Sequence, residues 1–404
     1  MTSDNHHETS GPLTGIRVLD FCSFINGAYS ASMMGDFGAD VIKVEPLYGD
    51  LARAWGPFIN GESRPFQTWN RSKRGICIDL TQAAARKVVY DLAARADVVI
   101  VNFRPGVAEK LGIDYPPLRE INPKLIYCSS TAFGSKGPYR DRPGYDPILQ
   151  SISGLAKETA NYSGRIAISP VAASDYQASM LVLTGILAAL LHREKTGVGQ
   201  LVETSLLQGI MSIQTHFFYQ PVEAEAQGRV GIYPYRLFET KDGQIFIGGA
   251  TDKFWRMLCE VLELSDLAID PRYDTNEKRT TRSSDLAPIL EPLIREKTTA
   301  EWQTILMAKG VPCGAVGEWS EFFNDEQVNA MEMSQQIDHP VIGPAFVTGV
   351  PINFEKTPGK VKSGAPVLGE HTEEVLREIG YEDEKIASLI EAGVIRIYQA
   401  TAAK

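Results

Sequence analysis

Two carboxylates stand out by where they fall. Asp175 sits in the run SPVAASDYQASM, just before the most apolar stretch of the chain, residues 180–191. A carboxylate there feels two opposing influences. The partial positive charge of a helix N-terminus favours its ionised form. Apolar surroundings strip its water, which raises the energy of the charged form and its nucleophilicity. Together these make a covalent nucleophile of the aspartate type. The plainer alternative is a helix N-cap, a position that Asp favours. The second carboxylate lies in RPGYDPIL as Tyr145 and Asp146, where Arg-Pro-Gly also reads as a turn. Basic residues recur beside buried runs, in WNRSKRG (69–75), NFRPG (102–106) and Lys110. They are either solvated surface charge or a rim for a phosphorylated cofactor. Phe24, Trp69 and Phe103 lie close by in sequence and could stack on an adenine ring.

The familiar templates are missing. No GxxxxGK[ST] occurs, and no HExxH or GxSxG. Gly27, Gly35 and Gly38 follow the first strand without the GxGxxG spacing of a nicotinamide site. The five cysteines (Cys22, Cys77, Cys128, Cys259, Cys313) show no CxxC pair and no metal spacing with the six histidines. They read as reduced and structural, so no metal and no permanent cofactor is expected.

The elements that must position these groups alternate in the first half. GIRVLDF (15–21), ADVIKVEP (39–46), GICIDL (75–80), DVVIVNF (97–103) and KLIYCSSTAF (124–133) are continuous apolar strands. Residues 28–38 and 81–96 between them are helical, the second with Thr81 as its cap. Continuous apolar strands separated by helices predict a parallel sheet covered on both faces, with ligands beyond the carboxyl ends of its strands. Residues 175–193 form one long apolar helix that stops at Gly197. The segment 221–231 is charged and small and reads as a linker. After it, 235–250 is a hairpin turning at Lys241-Asp242-Gly243, and 254–264, 284–296 and 300–309 are amphipathic helices. From about 333 the chain is loop-rich, and it closes with helices at 372–379 and 383–392.

Composition bounds the class. The chain has 404 residues, 44% of them apolar, and its 50 acidic and 40 basic side chains give a net charge of −10. That is too apolar for a disordered chain. A pI near 5.3 argues against a general nucleic-acid binder, but not against one local basic pocket. The N-terminal MTSDNHHETSG has no apolar core of a signal peptide. The run 180–191 is too short to cross a bilayer. These features predict a cytoplasmic chain without membrane partners.

Many short motifs, in order, then carry a resemblance. GIRVLDF, FGADVIKVEP, WNRSKRGICIDL, ADVVIVNFRPGVAEKLG, RPGYDPILQSISG, HREKTGVGQLVETSLLQ, DPRYDTNEKR and APVLGEHTEEVLREIGY all belong to it. They resemble the class III CoA-transferases of the formyl-CoA transferase and carnitine CoA-transferase type, over about residues 11–395. The resemblance implies a Rossmann-like α/β large domain made of 11–220 and 335–404. A smaller α+β domain (221–334) and a disordered tail (1–10) complete the chain. It implies an interlocked homodimer, and coenzyme A as co-substrate. The family's catalytic aspartate falls on Asp175. It attacks an acyl-CoA thioester, and an aspartyl-acyl anhydride and an aspartyl-CoA thioester follow before CoA passes to a free carboxylic acid. CoA contacts carry over to Phe24, Asn26, Lys73, Asn102, Phe103, Arg104, Lys110 and Tyr145.

Departures matter as well. Pro46 stands where formyl-CoA transferase has an arginine, and Ala28 replaces the usual proline after Gly27. Ile25 stands where that enzyme has a glutamine, which argues against oxalate and formate as the substrate pair. The glycine-rich active-site loop of the family has only GRVGIYPY (228–235) in its place. The related α-methylacyl-CoA racemases read Gly-His-Asp where this chain reads Gly144-Tyr145-Asp146. Tyrosine, with a pKa near 10, is a poor substitute for that histidine. Transfer is therefore preferred over racemisation with Asp175 as acid–base, and a non-catalytic CoA-binding role is the third alternative.

Overall fold

The computed structural model describes residues 11–160, 164–219 and 231–399. The expected tail (1–10) and nearly all of the expected linker lie outside them. The chain divides into two compact units, Met1–Phe218 with Gln327–Lys404, and Tyr219–Glu326. Sequence placed the return to the first unit at residue 335.

The first unit is built on six parallel strands: β1 (Arg17–Asp20), β2 (Asp40–Glu45), β3 (Arg74–Ile78), β4 (Val98–Val101), β5 (Ile126–Thr131) and β6 (Leu201–Ser205). Their order across the sheet is β3-β2-β1-β4-β5-β6, the order of a doubly wound dinucleotide-binding sheet. Ile395–Arg396 adds a short antiparallel strand outside β3. The strands are apolar throughout because both faces are covered. Alternate residues serve opposite cores. Leu19, Ile42, Val99 and Val101 pack with Val88, Val89 and Leu92 and with the C-terminal helices. Val18, Val41, Val98 and Ile100 pack on the other side with Met33, Met34, Val182 and Ile186.

The helices that matter for the site are α1 (Ala28–Asp36), α2 (Arg64–Asn70), α3 (Ala83–Ala93), α4 (Asp146–Ile152), α5 (Ala173–Thr196) and α6 (Leu206–Ser212). Helix α3 is not capped by Thr81. That hydroxyl bonds Asp79 instead, and Gln82 takes the cap position without a side-chain bond. Helix α5 ends as expected at Gly197, left-handed with φ 73°, whose N–H reaches the Arg193 carbonyl. By length and composition α5 could cross a membrane. Here its Val182, Ile186, Ala189 and Leu190 lie in the core. The loop-rich reading after 333 is corrected by a hairpin, Ser334–His339 with Gly343–Thr348. SQQIDH has Ile337 as its one strong β-former, and Gly343-Pro344 at the head of GPAFVT reads as a turn.

The second unit has a three-stranded antiparallel sheet of Tyr235–Glu239, Gln244–Gly248 and Cys313–Ala315. Helices Asp252–Val261, Ser283–Ile294 and Thr299–Lys309 supply Trp255, Leu258, Leu286, Leu290 and Trp302 to its core.

Charges are buried at the carboxyl ends of β1 and β2. Lys73 Nζ, with no side-chain exposure, lies 2.7 Å from Asp20 Oδ2. Lys43 Nζ lies 2.8 Å from Asp50 Oδ2 and also bonds the Cys22 carbonyl. A buried pair stripped of one partner leaves an uncompensated charge, at a cost of roughly 3–5 kcal/mol. Asp20→Ala is expected to lower stability by about that amount, read as a shift in the urea midpoint. Asp20→Leu with Lys73→Met should recover part of the loss. A single variant as stable as the parent would remove this pair from the account of the fold.

Candidate active site

In a doubly wound sheet the loops leave in opposite directions where the strand order reverses, which opens a crevice beyond the carboxyl ends. Here that point lies between β1 and β4. A cavity of about 660 Å³ sits there, walled by the segments that follow β1, β4 and β5 and by the start of α5. Phe24, Asn26, Asn102, Phe103, Arg104, Tyr145 and Asp175 all line it.

The β1 loop is held in an unusual shape. Phe24 adopts φ 60°, left-handed for a residue that is not glycine, at a cost of about 1–2 kcal/mol. Its surroundings impose this. Asp50 accepts from the Ser23 hydroxyl (2.7 Å) and the Phe24 N–H (3.4 Å). Asn102 clamps the same loop, donating from Nδ2 to the carbonyls of Ser23 (2.7 Å) and Asn26 (2.8 Å) and accepting the Ser23 N–H (3.0 Å). The loop then enters α1 through Gly27 at φ 84°, where a Cβ would meet Cys22 Sγ at 2.4 Å. Phe24 meets Trp55 edge to face at 4.9 Å.

Asp175 lies in the first turn of α5, but it is not the cap. The cap position is Ala172, which contributes no side-chain bond. Asp146, at the start of α4, takes over that task across the fold. Its Oδ1 accepts the Ser174 N–H (2.8 Å) and the Ser174 hydroxyl (2.7 Å), and its Oδ2 accepts Gln150 Nε2 (2.6 Å). The carboxylate of Asp175 receives no hydrogen bond among the described residues. Burial pushes its pKa up to about 7, and the neighbouring charge of Asp146 adds to the rise. Desolvation and like charge therefore outweigh the helix terminus. Helix α6 packs against this turn at Gly209, where a Cβ would meet the Ser174 carbonyl oxygen and the Ala178 nitrogen at 2.9 Å. Ser179 Oγ donates to the Asp175 carbonyl (2.9 Å) and lies 3.2 Å from the Ile25 carbonyl, which ties α5 to the β1 loop.

Two of the expected contacts move. Lys73 is not on the rim. Its ammonium is enclosed by Asp20, the Ala28 and Trp69 carbonyls and Asn70 Oδ1, and burial holds its pKa below the usual ammonium range against the pull of Asp20. Lys110 is exposed in the helix Val107–Leu111, apart from the residues that line the cavity. Asn102 does line it, yet its amide is spent on the loop. The basic side chains at the cavity are Arg104 with Arg140 and Arg142, both exposed. Sequence reading passed over that pair, although SKGPYRDRPG directly follows β5. Arg142 lies 5.2 Å from the Tyr139 ring and 5.6 Å from that of Phe133. Among the described residues no group of three His, Cys, Asp or Glu could hold a metal ion.

Comparison with known proteins matches residues 13–372 to the family described as CoA-transferase family III. The chain is 33% identical to the succinyl-CoA:glutarate CoA-transferase of Mus musculus, over 96% of this chain and 91% of that protein. It is 35% identical to the succinate–glutarate CoA-transferase of Agrobacterium fabrum, over 91% and 96%. The crystal structure of a CAIB/BAIF family protein from Brucella suis superposes with a TM-score of 0.78 at 32% identity, covering 92% of this chain and all of that one.

The titration of Asp175 leads to a stability test. Its folded pKa near 7 is above the ordinary 3.8. The folded chain thus holds this proton more tightly than the unfolded chain does. The resulting stability is complete below about pH 4 and is lost as pH rises through 7. Asp175→Asn, uncharged throughout, should therefore gain on the parent in melting temperature as pH rises from about 4 to 8. A difference between the two that stays flat with pH would contradict the shift.

Proposed function

From the premise that this chain belongs to CoA-transferase family III and is an acyl-CoA:carboxylate CoA-transferase, we propose that Asp175 carries the transfer covalently. One observation carries the reading. A carboxylate that receives no hydrogen bond among the described residues, raised to about 7, faces a cavity at the switch point of the sheet. Such a group is about half ionised at pH 7 and more so above it, and it is poorly solvated, which favours nucleophilic attack.

Asp175 Oδ attacks the thioester carbonyl carbon, the C–S bond breaks, and CoA leaves as thiolate. The resulting aspartyl-acyl anhydride is attacked by that thiolate at the aspartyl carbonyl. The first acid departs as carboxylate, and an aspartyl-CoA thioester remains. The acceptor carboxylate attacks the same carbonyl and expels the thiolate. The thiolate then takes the acceptor's acyl carbon and frees Asp175. One thioester replaces another, so neither ATP nor a metal is required.

Phe24, Phe103 and Tyr145 offer ring faces for the CoA nucleotide and pantetheine. Arg104, Arg140 and Arg142 give the cavity local positive charge within an acidic protein. The substrates proposed are short dicarboxylic acids. Both named relatives handle succinyl or glutarate groups, and a guanidinium fork suits a second carboxylate. The working unit proposed is an interlocked homodimer whose second subunit's smaller domain completes the site. Exposed Leu187 and Leu191 on α5 and Leu201 on the edge strand β6 supply apolar surface for such an interface.

The decisive experiment incubates the protein with succinyl-CoA and glutarate and follows acyl-CoA exchange by mass spectrometry. Trapping with hydroxylamine or borohydride should modify Asp175, and Asp175→Asn should lower kcat at least about a thousandfold. The acidic limb of kcat/KM should fall near pH 7 and move to lower pH in Asp146→Asn, which removes the like charge. No adduct across a broad acyl-CoA panel would sink the covalent reading. Deuterium exchange at the α-carbon without an acceptor acid would favour racemisation.

A further inference from the structure

An anhydride route generates a negative charge that Asp175 itself cannot stabilise. When its oxygen adds to the thioester carbonyl, the carbonyl π pair moves onto oxygen. That oxyanion persists until the C–S bond breaks. In an enclosed cavity it needs a fixed donor.

One side chain is built for that task. Asn26 is only 5% exposed, yet it lines the cavity with Asp175. Its orientation is set on two sides. Ser130, fully buried on β5, donates its hydroxyl to Asn26 Oδ1 at 2.9 Å. Asn102 holds the Asn26 carbonyl at 2.8 Å. With Oδ1 turned to Ser130, Nδ2 must point the other way. It donates to no acceptor among the described residues. The fully enclosed side-chain atoms without partners among those residues are Tyr127 Oη, Tyr233 Oη and Trp255 Nε1, and Asn26 Nδ2 is not among them. It is unpartnered and still reachable, so it opens on the cavity. The Ser179 bridge from the Ile25 carbonyl to the Asp175 carbonyl fixes the neighbouring residue against the turn that carries the nucleophile.

We propose that Asn26 Nδ2 is the side-chain donor to the acyl oxygen, binding the oxyanion formed at the acyl carbon when Asp175 attacks the thioester or when CoA thiolate attacks that carbon of the anhydride. The inference rests on the covalent transfer reading above. It assigns Asn26 to the reacting carbonyl rather than to the CoA nucleotide. Ser130 and Asn102 become positioning residues that hold the donor in place. A buried donor already oriented costs no reorganisation at the moment of reaction, which is where such groups gain their effect.

The test uses Asn26→Ala and Asn26→Asp with succinyl-CoA and glutarate. The alanine variant should lose about a hundredfold in kcat, with KM for succinyl-CoA changed less than about threefold. The near-isosteric aspartate keeps an acceptor for Ser130 but places negative charge against the oxyanion, so it should lose more. It also serves where the alanine variant does not fold. Ser130→Ala should lower kcat by about tenfold, because the amide is then free to rotate. An unchanged kcat in Asn26→Ala, an effect confined to KM, or an aspartate variant as fast as the parent would overturn the assignment. Failure of the underlying transfer reading would look different, since the parent protein itself would then form no adduct at Asp175.

Discussion

Two lysines are buried against two aspartates at the carboxyl ends of β1 and β2, and the site is assembled above them. Such pairs are expensive to desolvate and seldom more stabilising than apolar packing of the same volume. What they supply here is direction. Lys43 bonds Asp50 and the Cys22 carbonyl, and Asp50 in turn bonds Ser23 and Phe24. Lys73 ties Asp20 at the end of β1 to the start of α1 and to the last turn of α2. The β1 loop is thereby forced into a conformation that Phe24 would not choose alone. An ordinary apolar floor would leave that loop several shapes. The charged one fixes Ser23 and Phe24 through Asp50, and Asn102 clamps the same loop at Ser23 and Asn26.

The second constraint is electrostatic and concerns α5. A helix start needs acceptors for its free N–H groups. Capping by Asp175 itself would have used its carboxylate for structure and lowered its pKa. Instead Asp146 reaches across from α4 to bond Ser174, one residue before Asp175. The helix is capped, Asp175 stays free, and a like charge is fixed nearby. One substitution of roles thus provides stability and an unsolvated carboxylate together.

Much of this could be read in the sequence, for definite reasons. Continuous apolar runs such as VVIV at 98–101 have no other use than a strand covered on both faces, and Gly197 marks the end of α5 directly. Asp175 stood out because a carboxylate ahead of a twelve-residue apolar run is costly to desolvate, although its position alone fitted an N-cap as well, and its candidate role came from the family resemblance. Lys73 was misjudged because sequence shows charge but not burial. WNRSKRG reads as one basic loop, yet in the fold Arg71 pairs with Asp36, Lys73 with Asp20 and Arg74 with Asp40, all turned inward or along the sheet edge. Arg140 and Arg142 were missed because their loop reads as a turn. The cap from Asp146 could not be foreseen, since it links positions 28 residues apart through tertiary packing. The hairpin at 334–348 was hidden by a polar first strand, SQQIDH, and by the Gly-Pro that opens the second.

The pairing of Asp146 with Asp175 bears on the direction of the chemistry as well as on titration. Once Asp175 ionises, two negative charges share a poorly solvated corner, and that repulsion raises the energy of the ionised ground state. In the proposed route acylation would convert the Asp175 carboxylate into a neutral anhydride or thioester, and the repulsion would disappear. On that proposal the like charge would oppose the unreacted state and not the covalent intermediates, and so bring the two closer in energy. A reversible exchange benefits from that balance, because an intermediate much higher or much lower than its neighbours would slow one direction. Uniform attraction to Asp175, such as an adjacent lysine, would do the opposite by stabilising the carboxylate that must react. The proposed route uses a carboxylate that receives no hydrogen bond among the described residues, and the cap that Asp146 supplies from elsewhere in the fold is what leaves Asp175 in that state.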